Sequence, residues 1–185
     1  MASFNGCQRC AVYNSVVTMN ANIRRANIRD LNGAIECEVS ILKSLYGILP
    51  QIYVDESISY LKSLAAKRDF ESKILDSSYV FLVAEKAGEI VGIARGFLEK
   101  GGVGWLSFIG VKPSHRKKGI GTALLRRFID ELSSLGAHKI SLYTSPVLID
   151  AVKLYARLGF IPEGFLRKHF YGIDLIHYSL FLYSQ

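Results

Sequence analysis

Between Val103 and Leu135 the chain reads VGWLSFIGVKPSHRKKGIGTALLRRFIDELSSL. This stretch constrains the fold more than any other. Val103–Val111 has the apolar, β-prone character of a strand, and Lys112-Pro113-Ser114 stops it, because proline cannot donate to a ladder. From Gly119 to Leu135 the apolar residues Ile120, Leu124, Leu125, Phe128, Ile129 and Leu132 recur at helical spacing. Gly136 stands where a helix stop is expected. A strand therefore feeds a helix through a turn carrying two glycines, Gly119 and Gly121. A helix start leaves backbone N–H groups unpaired and carries partial positive charge. Glycines let an anion approach those groups closely.

Charge supports an anion at that turn. The net charge is +7. The window Lys112–Arg127 holds Lys112, Arg116, Lys117, Lys118, Arg126 and Arg127 and no acidic residue. A basic stripe attracts phosphate, whether in nucleic acid, at a membrane surface or in a nucleotide. No Walker A sequence is present, and Leu124 stands where a dinucleotide fingerprint would place its third glycine. The stripe has no aromatic residue between its charges and matches no nucleic-acid motif, so nucleic acid is not expected. No apolar run approaches the roughly 18 residues of a membrane span, so no membrane partner is expected either.

The rest of the chain supplies a mixed sheet with helices on its faces. Residues 1–18 show no periodicity and are expected to be a flexible extension without a secretory signal, with Met19 as a natural beginning. Residues 19–185 are expected to form a single domain. Predicted strands are Asn22–Asn27, Tyr79–Glu85, Glu89–Leu98, Val103–Val111, His138–Thr144, Pro162–Phe170 and Leu175–Tyr183. Predicted helices are Asp30–Tyr46, Asp55–Phe70, Gly119–Leu135 and Leu148–Leu158. The last two strands are expected to turn around Gly172-Ile173-Asp174. The order is β-α-α-β-β-β-α-β-α-β-β, an α/β (α+β mixed-sheet) class.

Three cysteines, Cys7, Cys10 and Cys37, make an odd count without a disulfide framework. Cys7 and Cys10 form a CxxC without a second ligand pair, so free thiols and a cytoplasmic location are expected. His115 reads as a surface residue, and His138, His169 and His177 show no ligand spacing, so no metal is proposed.

"IGVKPSHRKKGIGTALL" resembles motif A of the GNAT superfamily, the acetyl-CoA-dependent N-acyltransferases. The matching residues are Arg116-Lys117-Lys118-Gly119-Ile120-Gly121, after a strand ending in a V-x-P turn. "AVKLYARLGF", Ala151–Phe160, resembles motif B of the same family. The resemblance covers about residue 20 to 183 and implies acetyl-CoA as co-substrate. It implies that backbone N–H groups of Lys117, Lys118, Gly119, Ile120, Gly121 and Thr122 bind the CoA pyrophosphate. Nearby Lys or Arg side chains, Arg116 among them, would neutralise the remaining phosphate. It implies that the strand carrying Ile109 and Val111 splays from the His138–Thr144 strand. Pantetheine would then bond backbone groups of Ile109 and Val111 like an added strand, with Gly110 easing any bulge.

The implied reaction is direct attack of an amine on the acetyl thioester. Tyr155 matches the family tyrosine that faces the sulfur and is the candidate general acid. Trp105 stands where many members carry a glutamate base, and Tyr143 stands where some N-terminal acetyltransferases carry a histidine, so Tyr143 is a candidate for holding a water. Leu148 replaces an asparagine often found before motif B. A site without a strong base suits an α-amine, with a pKa of about 8, better than a lysine ε-amine at about 10.4. The last hairpin resembles that of the ribosomal-protein and N-terminal acetyltransferases, with Tyr171 as a candidate for the acceptor groove. Glu36, Glu38 and Tyr46 are further candidates there. A protein or peptide amine is the favoured acceptor. A small amine, such as a polyamine or amino acid derivative, and a non-catalytic acyl-CoA-binding module remain the alternatives, and the oligomeric state is open.

Overall fold

The computed structural model describes residues 21–182. Expectations for residues 1–18, for the Cys7/Cys10 pair and for Tyr183 fall outside the described residues. The elements are β1 (Asn22–Arg25), α1 (Leu31–Lys43), α2 (Gln51–Leu61), α3 (Leu64–Leu75), β2 (Tyr79–Lys86), β3 (Glu89–Leu98) and β4 (Val103–Val111). They continue with α4 (Ile120–Ser134), β5 (Lys139–Thr144), α5 (Ile149–Arg157), β6 (Ile161–Phe170) and β7 (Ile173–Phe181). The seven strands form one mixed sheet in the order β1-β2-β3-β4-β5-β7-β6. β4 and β5 are its parallel pair, and the other neighbours are antiparallel.

Two cores sandwich the sheet. On one face Leu124, Leu125, Phe128 and Leu132 of α4 and Tyr155 of α5 pack on Val80, Leu82, Leu106, Ile140 and Leu142. On the other, α1, α2 and α3 bring Ile35, Ile41, Val54, Ile58 and Phe70 onto Phe81, Val83 and Ile93. The α4 stripe predicted from sequence is the one that is buried. Its five buried members include Phe128 and Leu132 at 0% exposure, each removing apolar surface from water at roughly 25 cal/mol per Å².

The second predicted helix is two helices. Ser63 breaks it by accepting a hydrogen bond from the Ala66 N–H at 3.1 Å, an N-cap that starts α3. Leu64, inside the predicted helix, stands at the start of α3 and is 64% exposed. α2 begins at once after Pro50, since proline is suited to a helix start. Ahead of α1, Asn27 caps a 3-10 turn over Ile28–Asp30, and Asp30, the residue at the N-cap of α1 itself, makes no side-chain cap bond to that helix. Asn27 Oδ1 accepts from Arg29 N–H at 2.9 Å, and Asp30 Oδ2 accepts from Asn27 N–H at 2.8 Å. Arg24 grips Asp30 as well, at 2.6 Å. In the closing hairpin the turn is Tyr171-Gly172, both at positive φ (51° and 72°), as a type I′ turn requires. It falls before Ile173, so β7 begins two residues earlier than predicted.

The bulge expected to be eased by Gly110 lies at Ser107. Arg95 faces Phe108 and Gly96 faces Leu106, which leaves Ser107 as the extra residue of β4. Gly110 serves a different need: a Cβ there would come within 2.9 Å of the Ile41 side chain of α1. β6 is interrupted twice, between Pro162 and Gly164 and between Leu166 and Phe170, and almost all of its residues are exposed.

Candidate active site

The site is a gap between two strands with a helix start at one end. β4 and β5 pair only through Val103–Lys139, Gly104–Ile140 and Trp105–Ser141. Beyond these, β4 stays with β3 as far as Val111–Gly92, while β5 stays with β7 as far as Thr144–Ile176. The two strands thus part. Lys112 N–H donates to Val91 C=O at 2.8 Å, toward β3. Strand residues alternate edges, so Gly110 shares that edge and Ile109 and Val111 turn their backbone groups into the gap. Val111 C=O accepts Arg116 Nε–H at 3.0 Å.

α4 opens toward this gap. Lys117 (φ 60°) and Gly119 (φ 80°) adopt left-handed conformations in the turn, which glycine takes freely and lysine only with strain. The first bond of the helix runs from Ala123 N–H to Gly119 C=O, and no side chain caps its start. Among the described residues, the N–H groups of Lys117, Lys118, Gly119, Ile120, Gly121 and Thr122 find no protein acceptor. Six donors at a helix N-terminus, flanked by lysines, fit a diphosphate in number and in charge. A Cβ on Gly121 would meet Leu154 and Val111 at 3.7 Å, an ordinary contact. Neighbouring protein atoms therefore do not demand glycine at 121.

The side chains around the turn divide the work. Arg116 reaches back to Val111 and to Ser44 Oγ, at 2.6 Å, and ties the elbow to the end of α1. Lys118 donates to Ser114 C=O at 2.8 Å. Exposed Lys117 pairs with Asp150 at the start of α5, and that bond holds the Asp150 carboxyl below its usual range.

Tyr155 sits on α5 at 5% exposure, with ring centroids 5.7 Å from Phe160 and 6.2 Å from Tyr178. Its hydroxyl has no protein partner among the described residues but is not sealed from solvent. Burial pushes its phenol well above the usual range. Such a group holds its proton at neutral pH, so it can donate one but is a poor base.

The opposite face of the gap is aromatic. Trp105 of β4, Tyr143 of β5 and His177 of β7 stack at 5.7 Å (Trp105–Tyr143), 4.9 Å (Tyr143–His177) and 5.7 Å (Trp105–His177), tilted by no more than 28°. Below the stack, Ser141 Oγ and Ser179 Oγ lie 2.9 Å apart, and Ser179 donates to Glu163. Lys139 also holds Glu163, at 2.6 Å. Sequence spacing did not single out His177. The signal lay in the pairing of β5 with β7, which sets it opposite Tyr143.

Tyr171 lies at the β6–β7 tip, packed on Tyr53 of α2 at 5.6 Å and donating to Glu56. Of the other acceptor candidates, Glu38 is buried and held by Arg95 at 2.8 Å, Tyr46 donates to Asp55 at 2.6 Å, and Glu36 is exposed. Glu36 lines a polar cavity of about 290 Å³ beside Arg24 and Lys112, whose charges answer one another through Asp30, Glu85 and Glu89. Among the described residues, no cluster of His, Cys, Asp and Glu could hold a metal, and no helix is long and apolar enough to cross a membrane.

The model of the Acetyltransferase (GNAT) family matches residues 43–160. The chain belongs to the GNAT family. "Acetyltransferase SG1711" of Sodalis glossinidius (strain morsitans) is 35% identical over 92 residues. That match takes in 50% of this chain and spans 64%, just under two thirds, of the relative's length. The fold is similar to the ribosomal-protein-S18-alanine N-acetyltransferase of Escherichia coli, with TM-score 0.68, 22% identity, and 89% and 96% of the two chains covered. It is also similar to the PaiA N-acetyltransferase of Thermoplasma acidophilum in complex with coenzyme A, with TM-score 0.72, 21% identity, and 86% and 98% covered. The GNAT match includes β4, the α4 turn and α5, the elements that frame the gap.

Proposed function

We propose that the chain moves an acetyl group from acetyl-CoA to a primary amine, most often the α-amine at the end of a protein or peptide. The observation that carries this reading is the parting of β4 and β5 beside a helix start with six unpartnered N–H groups. The N–H groups of Lys117–Thr122 hold the pyrophosphate, and Lys117 and Lys118 add positive charge around it. Ile109 and Val111 bond the pantetheine as a short added strand. This places the thioester between Tyr155 on one face and the Trp105–Tyr143–His177 stack on the other.

Each residue then has a task. Tyr155 donates a proton to the departing sulfur. Backbone N–H groups at the Ser107 bulge polarise the carbonyl. Tyr143 holds water at the acceptor side, and Tyr171 with Tyr53 forms a wall of the acceptor groove. The absence of a free carboxylate at position 105 favours an acceptor whose amine is easily neutral, which is an α-amine. A cytoplasmic setting, where acetyl-CoA and nascent chain ends meet, belongs to the same reading. Residues 19–185 act in it as one catalytic domain.

The test is thiol release from acetyl-CoA across peptides with free α-amines, peptides with only lysine amines, and polyamines, with products mapped by mass spectrometry. Acetylated chain ends are expected. Preference for polyamines would move the acceptor to a small amine. Saturable CoA binding without thiol release from any amine would leave a binding module and end the enzyme reading.

A further inference from the structure

Three aromatic rings meet where β4 and β5 part. Leu106, Leu142 and Tyr178 belong to the core shared with α4 and Tyr155. Strand residues alternate faces, so their neighbours Trp105, Tyr143 and His177 stand on the opposite face of the sheet. Trp105 is the last residue of β4 paired to β5, opposite Ser141. Tyr143 comes two residues later on β5, past the point of parting, and so stands on the rim of the gap. The ring centroids form a triangle with sides of 5.7, 4.9 and 5.7 Å. A straight pile would set its outer rings much further apart, with the middle ring hidden between them. Here the rings overlap around a common corner, and Tyr143 is 48% exposed. Phe97, directly across from Trp105 on β3, widens the patch and is 40% exposed. His177, whose Nε2 is sealed, supports the patch from within.

Resting on the acetyl-transfer reading above, we propose that this patch receives the first side chain of the acceptor and selects aromatic or bulky apolar chain ends. An α-amine that attacks a thioester in the gap brings its own Cα with it. The first side chain hangs from that atom and lies within reach of the rim. Tyr143 and Trp105 are the specificity-determining residues, and Phe97 extends their surface. An aromatic or bulky apolar side chain laid on them removes apolar surface from water on both partners, and an aromatic one adds ring-to-ring attraction. The carboxylates that touch these rings are occupied. Glu99 accepts from Trp105 Nε1–H at 2.8 Å, and Glu163, 4.0 Å from His177 Nδ1, is held by Lys139 at 2.6 Å. A cationic side chain therefore gains no free carboxylate from them. An acidic one meets Lys139 already paired, and glycine brings no side chain to bury.

Trp105 is the single tryptophan of the chain, so its fluorescence reports contact directly. The test uses peptides that begin with phenylalanine, leucine, glycine, aspartate or arginine and are otherwise identical. Each is titrated into the protein with CoA present while Trp105 emission is followed. Peptides beginning with phenylalanine or leucine are expected to change it at concentrations about tenfold below the others. With acetyl-CoA, kcat/KM should follow the same order, with the difference lying in KM. Tyr143→Ala should shrink the phenylalanine-to-glycine ratio to within about twofold, whereas Tyr143→Phe, which keeps the ring, should preserve it. Trp105→Leu, read by kcat/KM, should shrink the ratio too, and decides the matter should Tyr143→Ala fail to fold. Variants that slow every peptide alike and leave the ratio standing overturn the proposal. So does equal use of all the peptides, or preference for the arginine or aspartate one. Absence of thiol release by the wild type with any amine would instead overturn the acetyl-transfer reading itself.

Discussion

Gly96 of β3 lies directly beneath the carbonyl of Trp105: a Cβ on Gly96 would come within 1.9 Å of that oxygen and 2.7 Å of the Phe128 ring. The crossing sits at the step where β3 and β4 slip register around Ser107. Gly96→Ala must therefore push β4 aside or flatten the bulge. Urea unfolding is expected to show a loss of about 1–3 kcal/mol, the usual range for overpacking. The gap should narrow too, so calorimetry should show weaker CoA binding than the stability loss alone would give. Unchanged stability would mean that the bulge yields easily.

Gly119 and Gly121 should separate into a conformational and a contact requirement. Gly119→Ala forces a side chain into left-handed backbone, at a cost of about 1–2 kcal/mol. Gly121→Ala meets no clash in the protein, and alanine within a helix gains roughly 0.5–1 kcal/mol over glycine. The second variant should melt at or above the wild-type temperature and yet bind CoA at least tenfold more weakly. Thermal melts with and without CoA check both halves.

Tyr155→Phe keeps the packing of α5 and removes the proton. CoA binding is expected to remain within about twofold, while thiol release falls by roughly 10² or more. Pre-steady-state thiol release is the measurement. A variant equally impaired in binding would show that the hydroxyl serves the cofactor's position instead.

Acid should weaken the fold through Asp30. Hydrogen bonds from Arg24 lower its carboxyl below the ordinary value of 3.8. A depressed carboxyl adds stability that is present above the unfolded pKa. That stability is lost as pH falls from about 3.8 through the folded value. Asp30→Asn removes this contribution, so its stability curve should be lower at pH 7 and flatter below pH 4. Denaturant titrations at several pH values test the sign. A wild-type curve already flat there would show that Arg24 and Asp30 are equally paired in the unfolded chain.

The sequence was most legible where one residue type does one job. The α4 stripe, the proline stop at Pro113 and the glycine at 119 each have a single local cause, and each is found where periodicity and turn chemistry predicted. The parting of β4 and β5 followed from family resemblance. It is a tertiary outcome, since nothing local distinguishes Val103 from Ile109 as pairing partners of β5. Ser63 escaped notice because apolar spacing carried smoothly across it, and a single hydroxyl cap outweighed that weak pattern. The bulge was assigned to the glycine that looked permissive, whereas Ser107 is extra because Gly96 on the opposite strand makes room. His177 was hidden for a related reason: its neighbours Tyr143 and Trp105 are distant in sequence and meet only across three strands.

Strand β6 has a further consequence. Among the described residues it is bare along one edge, and such an edge is an invitation for another extended chain to join the sheet. Pro162 offers no N–H to such a chain, and the two register breaks, with Lys168 twisted to positive φ, spoil the regular spacing that a recruit would need. Arg167 and Lys168 add charge repulsion between identical copies. This margin of the sheet is thus a poor template for edge pairing, and the irregularity of β6 is what makes it so.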